Sequence, residues 1–100
     1  ILRSGLIAFD TLQRNVTVAD EPVLLGRRET AVLEQLLRSA GRVISRSALE
    51  GAIYTQDDHV GPNAIEAVIS RLRRALASAG APLPIVTVRG IGWMLSKEDS

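Results

Sequence analysis

The chain has 100 residues, a net charge of +1 and no cysteine. This length fits one domain with a modest core, and a hydrophobic content of 46% argues against disorder. The composition excludes disulfides and cysteine chemistry, and no apolar run approaches the ~20 residues of a membrane span, so an argument for nucleic-acid binding depends on where the 12 basic residues lie.

The first quarter of the chain is rich in β-branched and large aliphatic residues. Apolar runs lie at residues 6–9, 12–18 and 23–25, and Asp, Asn and Pro residues separate them. These runs predict three or four short antiparallel strands in a meander, with helix covering one face because a small isolated sheet is unstable in water. We interpret residues 1–5 as the trimmed end of a linker and the chain as a fragment of a longer protein.

Two helices are predicted in the middle of the chain. The spacing of alanine, valine and leucine predicts the first over residues 27–40, with Gly26 as its N-cap. Residues 42–44 form a brief extended link. Ser45 is then a good N-cap for a second helix, which we expect to fade near Thr55.

A third helix, predicted over residues 63–78, separates an apolar stripe from a basic face. At about 100° per residue, the large aliphatic residues share one side. The opposite side carries Asn63, Ala67, Ser70, Arg71 and Arg74, with Arg73 at the border. Small side chains allow close approach to base edges, and arginine can grip guanine or phosphate, so this face suits a DNA major groove. The plain alternative is a solvated helix face.

Elements on both sides of this helix favour a helix-turn-helix domain. Asn63 and Glu66 have the spacing of a capping pair at its start. Downstream, β-branched or aromatic runs at residues 85–88 and 93–95 predict a hairpin. Arg89 lies at the tip of this hairpin, where it has no role in a core.

Four motifs resemble those of OmpR/PhoB-type effector domains. Residues 63–74 resemble the signature N-x-(V/I)-(D/E)-x-x-I-x-x-L-R, and residues 85–93 resemble I-x-T-V-R-G-x-G-Y. Residues 25–29 are similar to L-T-x-x-E, and residues 45–49 are similar to S-R-x-x-L. Each motif is weak alone, but the four occur in the family's order over nearly the whole chain.

The resemblance implies a single α+β winged helix-turn-helix domain over residues 1–100. Its parts would be an N-terminal antiparallel four-stranded sheet, a three-helix bundle and a C-terminal hairpin wing. Helix 63–78 would enter the major groove and wing 85–95 would lie at the minor groove. With the exposed helix face included, the predicted DNA-binding residues are Ser45, Arg46, Tyr54, Asn63, Ala67, Ser70, Arg71, Arg73, Arg74, Thr87 and Arg89.

These residues have different implied roles. By motif match, Arg71 and Arg73 contact DNA from the helix, and Arg89 enters the minor groove, where a narrow A·T tract has enhanced negative potential. The residues expected to face or touch phosphate are Ser45, Arg46, Tyr54 and Thr87. Tyr54 stands where a tryptophan is common in the family, and its hydroxyl would donate to phosphate.

The resemblance also implies partners for the full-length protein. They are an upstream phosphorylatable receiver domain, a cognate sensor kinase and a second copy of the protein in a tandem homodimer on direct-repeat promoter sites. RNA polymerase could contact the loop at residues 55–62. The implied location is the bacterial cytoplasm, with no membrane partner.

The chain departs from the family pattern at several positions. Gly26 replaces the usual threonine cap, Val68 stands where many members carry histidine, and Trp93 replaces tyrosine. Ala64 and Ala67 offer little hydrogen bonding, although an alanine methyl can meet a thymine methyl. These differences leave the predicted fold intact and alter the expected target sequence.

Other functions have weaker support. His59, beside Asp57 and Asp58, lies in a polar loop that we interpret as solvated rather than as a metal site. No Ser-His-Asp set fits, so neither an enzyme nor a cofactor is predicted. A protein-interaction module, a small enzyme and an effector domain joined to a membrane anchor remain the alternatives.

Overall fold

The computed structural model describes residues 1–58 and 60–96. An antiparallel sheet comes first, followed by three helices and a second sheet. The elements in chain order are β1 (Leu2–Ser4), β2 (Ile7–Asp10), β3 (Asn15–Val18), β4 (Glu21–Val23), α1 (Arg27–Arg38), β5 (Val43–Ser45), α2 (Arg46–Ile53), α3 (Ala64–Ser78), β6 (Ile85–Val88) and β7 (Gly92–Leu95). The predicted α+β order of strands, three helices and hairpin is confirmed.

The N-terminal sheet has the strand order β1-β2-β3-β4, all antiparallel. Its inward residues alternate along the strands and are buried: Ile7, Phe9, Val16 and Val18. The expected linker at residues 1–5 differs from the structure, because Leu2–Ser4 pairs with Ile7–Phe9. The third strand begins later than predicted, since Asp10 Oδ1 accepts hydrogen bonds from the backbone of residues 12 and 13 and closes a turn there.

The core lies between this sheet and the helices. Every residue of the predicted apolar stripe of α3 is at most 2% exposed: Ile65, Val68, Ile69, Leu72 and Leu76. On α1, Val32, Leu33 and Leu36 are fully buried and belong to the same cluster. The stripe therefore fixes which side of α3 faces away from the core.

The helix starts follow the sequence at two of three places. Gly26 is the N-cap of α1, and Ser45 caps α2 by accepting a hydrogen bond at Oγ from the Ala48 backbone N–H, at 3.1 Å. The predicted Asn63–Glu66 capping pair is wrong. Asn63 has φ −116° and ψ 24° and makes no side-chain cap bond, because this backbone is not the extended conformation of a capping residue.

The second sheet has the order β5-β7-β6. The predicted hairpin is confirmed as β6 and β7, and the expected extended link at residues 42–44 is in fact part of a third strand, β5. A Cβ at Gly92 would lie 1.9 Å from the Ile44 carbonyl oxygen. Glycine is therefore required at the tip end of β7, where β5 runs alongside it.

Candidate nucleic-acid interface

The face of α3 opposite the core is exposed along its length. The exposed members are Asn63, Ala67, Ser70, Arg71 and Arg74, as the sequence predicts. Arg73 is half-buried at the border of this face. Within it, Arg74 donates to the Ser70 hydroxyl across one helical turn, at 3.4 Å.

A cleft of about 490 Å³ separates α3 from the hairpin. Its lining includes five of the predicted site residues: Arg46, Ser70, Arg73, Thr87 and Arg89. Because Arg89 follows β6 directly at the hairpin tip, the cleft joins the basic side of α3 to the wing.

Arg73 connects the helix to the wing. One Nη donates a hydrogen bond to the Ile85 carbonyl oxygen at 2.8 Å. A guanidinium has five N–H donors, so one bond to the backbone leaves donors for an anion. Arg73 therefore fixes β6 against α3 and can still present positive charge at the cleft.

Arg71 lies at the other border of the exposed face. Its Nε donates to Glu29 Oε1 on α1, at 2.9 Å. The Glu29 side chain is 15% exposed, whereas that of Arg71 is 51% exposed. The arginine is thus held at its Nε side and open to solvent elsewhere.

Arg46 makes protein contacts instead of an open phosphate site. Its guanidinium forms an ion pair with Glu66 of α3, lies 3.7 Å from the Glu50 carboxylate, and stacks 5.3 Å from the centroid of the Trp93 ring. Its backbone N–H also donates to the Ile91 carbonyl oxygen at 3.2 Å. Arg46 therefore ties the start of α2 to α3 and the wing, which differs from its expected role.

Two further predicted phosphate contacts, Ser45 and Tyr54, have surroundings that differ from the expected ones. The Ser45 hydroxyl accepts the α2 cap bond, and it lies 3.4 Å from the Ser47 hydroxyl. The Tyr54 hydroxyl is buried and has no hydrogen-bond partner among the described residues. It differs from the expected phosphate donor because the hydroxyl does not reach solvent. Arg28 lies over the Tyr54 ring, 4.9 Å from the centroid.

Positive charge is left unneutralised on α3 and the wing. Within residues 1–58 and 60–96, the carboxylates that form ion pairs do so with Arg14, Arg28, Arg38, Arg46 and Arg71. In that part of the chain, no carboxylate pairs with Arg73, Arg74 or Arg89. These three arginines form the α3–wing cluster, whose field is not cancelled locally.

Residues 55–58, which follow α2, fold back on themselves. Asp58 accepts hydrogen bonds from the backbone N–H of Thr55, at 2.8 Å, and from its hydroxyl. The bond from the Thr55 backbone is the main reason that the pKa of Asp58 lies below its ordinary value, and the charges of Arg28 and Arg27 add to the effect. The expected solvated role of His59 lies outside the described residues. Elsewhere in the described chain, no group of three or more metal-ligating side chains occurs.

Several contacts that shape this surface have no signature in the local sequence. From the sequence, Glu29 is expected only to favour the start of the first helix, and Trp93 only to pack. Their partners lie far along the chain, since Glu29 and Arg71 are 42 residues apart. The sequence signal that could point to such contacts is charge, because Glu66 is the sole acidic residue on α3.

These features define a winged helix-turn-helix domain. Helix α2 precedes an exposed basic helix, α3, and the β6–β7 hairpin lies beside that helix across a cleft. None of the described helices is long and apolar enough to cross a membrane.

Comparison with known proteins gives the family. The family described as "Transcriptional regulatory protein, C terminal" matches residues 20–95. The chain is 45% identical over 100 residues to "Probable transcriptional regulatory protein y4xI" of Sinorhizobium fredii, which covers 100% of this chain and 44% of that protein. The chain belongs to this family of C-terminal domains, and the resemblance to OmpR/PhoB-type effector domains is confirmed. It spans less than half the length of that relative.

Solved structures agree on the fold. The Klebsiella pneumoniae RstA DNA-binding domain, described "in complex with RstA box", matches with a TM-score of 0.76 and 30% identity, over 95% of this chain and 96% of that one. The response regulator AdeR DNA-binding domain, described "in complex with an intercistronic region", has a TM-score of 0.84 and 19% identity, over 98% of this chain and 100% of that one. The predicted winged-helix architecture is therefore confirmed.

Proposed function

We propose that this domain binds double-stranded DNA in a sequence-specific manner, with α3 in the major groove and the wing at the minor groove. The observation that carries the proposal is the α3–wing cluster. Arg73, Arg74 and Arg89 lie around one exposed helix face and its cleft, and no described carboxylate pairs with them. A polyanion is the partner that such a surface attracts most strongly.

The surface also has the shape for reading bases. Ala67 and Ser70 are small and exposed, so the α3 backbone can approach base edges closely. Arg71 can supply a guanidinium fork to guanine, and Arg74 can contact phosphate. Asn63 and Thr87, which are both exposed, are further proposed contacts.

Arg89 is the proposed minor-groove residue. It is exposed at the wing tip, beside Gly90 with φ +79°. Positive φ at glycine makes the tight turn that brings the preceding side chain to the end of the hairpin. A narrow A·T-rich groove would attract this guanidinium through its negative potential.

The proposal extends to the full-length protein by analogy with the relatives, which are about twice as long as this chain. We propose a receiver domain upstream, controlled by a sensor kinase, and tandem dimers on direct-repeat promoter sites in the bacterial cytoplasm. Residues 55–62 are the proposed contact for RNA polymerase. The Thr55–Asp58 hydrogen bonds give residues 55–58, the first part of this segment, a defined shape.

Selection from random duplex DNA, followed by salt titration of the selected site, tests the proposal. We expect a base preference, and an affinity that falls linearly with salt on logarithmic axes as counterions are released. If Arg71→Ala kept the wild-type preference at every base position, Arg71 would not be a base-reading residue.

Arg38→Ala is the matched control. Arg38 and Arg71 are each 51% exposed and each paired with a glutamate, but Arg38 lies on α1. Absence of binding to any duplex at low salt would refute DNA binding and favour the protein-interaction alternative.

A further inference from the structure

Glu29 of α1 holds Arg71 of α3 by one side of its guanidinium. The contact uses Arg71 Nε and Glu29 Oε1, 2.9 Å apart. Among the described residues, the Nη groups of Arg71 form no hydrogen bond, whereas the Nε–H is occupied. The end-on pair of Nη donors is therefore the part of the side chain that remains available.

The carboxylate of Glu29 lies in a confined position. Its side chain is only 15% exposed, and its position depends on the residue at the start of the same helix. A Cβ at Gly26 would lie 2.8 Å from Glu29 Oε2 and 3.2 Å from both Cδ and Oε1. Any side chain at position 26 would push the carboxylate, so glycine there allows Glu29 to lie where it meets Arg71.

We propose that Glu29 is a positioning residue that sets the base preference of Arg71, and that Gly26 makes this position possible. This inference rests on the proposed function, in which α3 enters the major groove. A bidentate contact with guanine O6 and N7 needs a guanidinium in a defined plane. Glu29 fixes the plane of the Arg71 guanidinium from a position outside the DNA-binding face.

The pairing has two opposite effects on binding. It reduces the number of conformations that Arg71 loses when it contacts a base, which favours the specific complex. It also places a negative charge beside the arginine, which reduces the attraction of the pair to any DNA backbone. Glu29 therefore lowers affinity for arbitrary sequences and raises discrimination at one base position.

Glu29→Gln tests these effects because it removes the charge and keeps the size of the side chain. We expect the preference at one base position of the selected site to fall by roughly fivefold to tenfold, the lower part of what one arginine fork contributes. We expect affinity for duplex of scrambled sequence to rise, with a salt dependence steeper by up to about 0.9, as for one added phosphate contact.

Glu34→Gln is the control for a structural effect. Glu34 also lies on α1, its side chain is 14% exposed, and it pairs with Arg14 and Arg38 rather than with α3. It should reduce stability at least as much as Glu29→Gln and leave the base preference at its wild-type value. Equal loss of preference in both variants would overturn the proposal, since α1 stability alone would then explain the result.

Gly26→Ser separates position from stability. Serine is a good N-cap and glycine a fair one, so the free energy of unfolding should not fall. The displaced carboxylate should still shift the base preference in the direction of Glu29→Gln. A wild-type preference in Gly26→Ser would overturn the role assigned to Gly26.

The remaining outcomes separate this inference from the proposed function. Failure of the wild-type domain to bind duplex DNA would remove both. Specific binding that Arg71→Ala alters at one position and Glu29→Gln leaves unchanged would keep the proposed function and overturn this inference. The ¹⁵N signal of the Arg71 Nε–H offers a DNA-free check: its protection from exchange with solvent should disappear in Glu29→Gln.

Discussion

Two groups of arginines in this domain have opposite electrostatic surroundings. The sheet–α1 cluster consists of Arg14 and Arg38, which share the carboxylate of Glu34 at 2.6 and 3.0 Å. Arg14 also lies 5.3 Å from the centroid of the Phe9 ring. In the α3–wing cluster, by contrast, the partners of the guanidinium groups are a carbonyl and a hydroxyl oxygen.

The difference explains how a chain of net charge +1 can present a basic surface. Carboxylates neutralise Arg14 and Arg38 where the sheet joins α1, whereas no described carboxylate pairs with Arg73, Arg74 or Arg89. For binding, the local arrangement of charges matters more than the net charge, because dissolved ions screen charges that are more than about 10 Å apart. The first cluster therefore serves folding and the second is available to a partner.

The largest expected effect is on DNA affinity. Replacing Arg74 and Arg89 together with alanine should weaken binding on the order of 100-fold and reduce the salt slope by about 0.9 for each phosphate that is no longer neutralised. Fluorescence anisotropy with the selected duplex at several salt concentrations measures both. The paired control, Arg14→Ala with Arg38→Ala, removes the same charge. An equal decrease in slope there would mean that total charge, not its placement, governs binding.

The second effect concerns stability and pH. The hydrogen bond from Arg14 is the main reason that the pKa of Glu34 lies below its ordinary value of 4.5, with Arg38 adding to it. Arg14→Ala should lower the free energy of unfolding by about 1 kcal/mol at neutral pH, because it removes the ion pair and the packing on the ring. Urea unfolding with circular dichroism detection measures this.

The sign of the pH dependence follows from the lowered pKa. Stabilisation by Glu34 is present above the pKa of the unfolded chain and disappears as pH falls through the pKa of the folded state. The difference between wild type and Arg14→Ala should therefore shrink below pH 4.5. A difference that stayed constant into acid would assign the effect to packing on Phe9.

A third, smaller effect distinguishes positioning from contact in the α3–wing region. Arg46→Met should weaken DNA binding by roughly threefold to tenfold, because it removes partly exposed ion pairs and one cation–π interaction. The salt slope should stay at its wild-type value, since Arg46 lies on Glu66 and Trp93. Trp93 is the sole tryptophan of the chain, so its emission reports the change directly. A slope reduced by about 0.9 would restore Arg46 as a phosphate contact.

The smallest effect compares two helix starts in the same region. Ser45→Ala should cost about 1 kcal/mol of stability, because it removes the α2 cap bond. Asn63→Ala should stay within about 0.5 kcal/mol, because Asn63 makes no cap bond. Denaturant unfolding of both variants under identical conditions checks the order. Equal losses would indicate that Asn63 caps α3 in solution.

Local patterns in the sequence predict the elements that depend on local physics. The two faces of α3 follow from the spacing of Ile65, Ile69 and Leu72, and the α2 cap follows from a serine before a helical run. Strands of three residues are different. Leu2–Ser4 and Val43–Ser45 become strands through the partners that they meet, β2 and β7, which their own residues do not specify.

The same limit applies to the candidate site. The sequence identifies the exposed arginines because exposure follows from helical position. It does not assign their partners, since Glu66 lies 20 residues from Arg46 along the chain and Trp93 lies further still, and only the tertiary fold closes these separations. The packing of Arg28 over the Tyr54 ring is hidden for the same reason, because Arg28 belongs to α1 and Tyr54 follows α2.

The pairing of β7 with β5 as well as β6 has a consequence for how relatives of this domain can diversify. Strand β7 is secured along Gly92–Met94 to the segment that leads into α2, while residues 89–91 lie outside the ladder. The sequence of the tip can therefore change without any change in the core. Changes of DNA target are therefore accessible at the tip through few substitutions, whereas Gly92, the first ladder residue after the tip, tolerates almost no replacement.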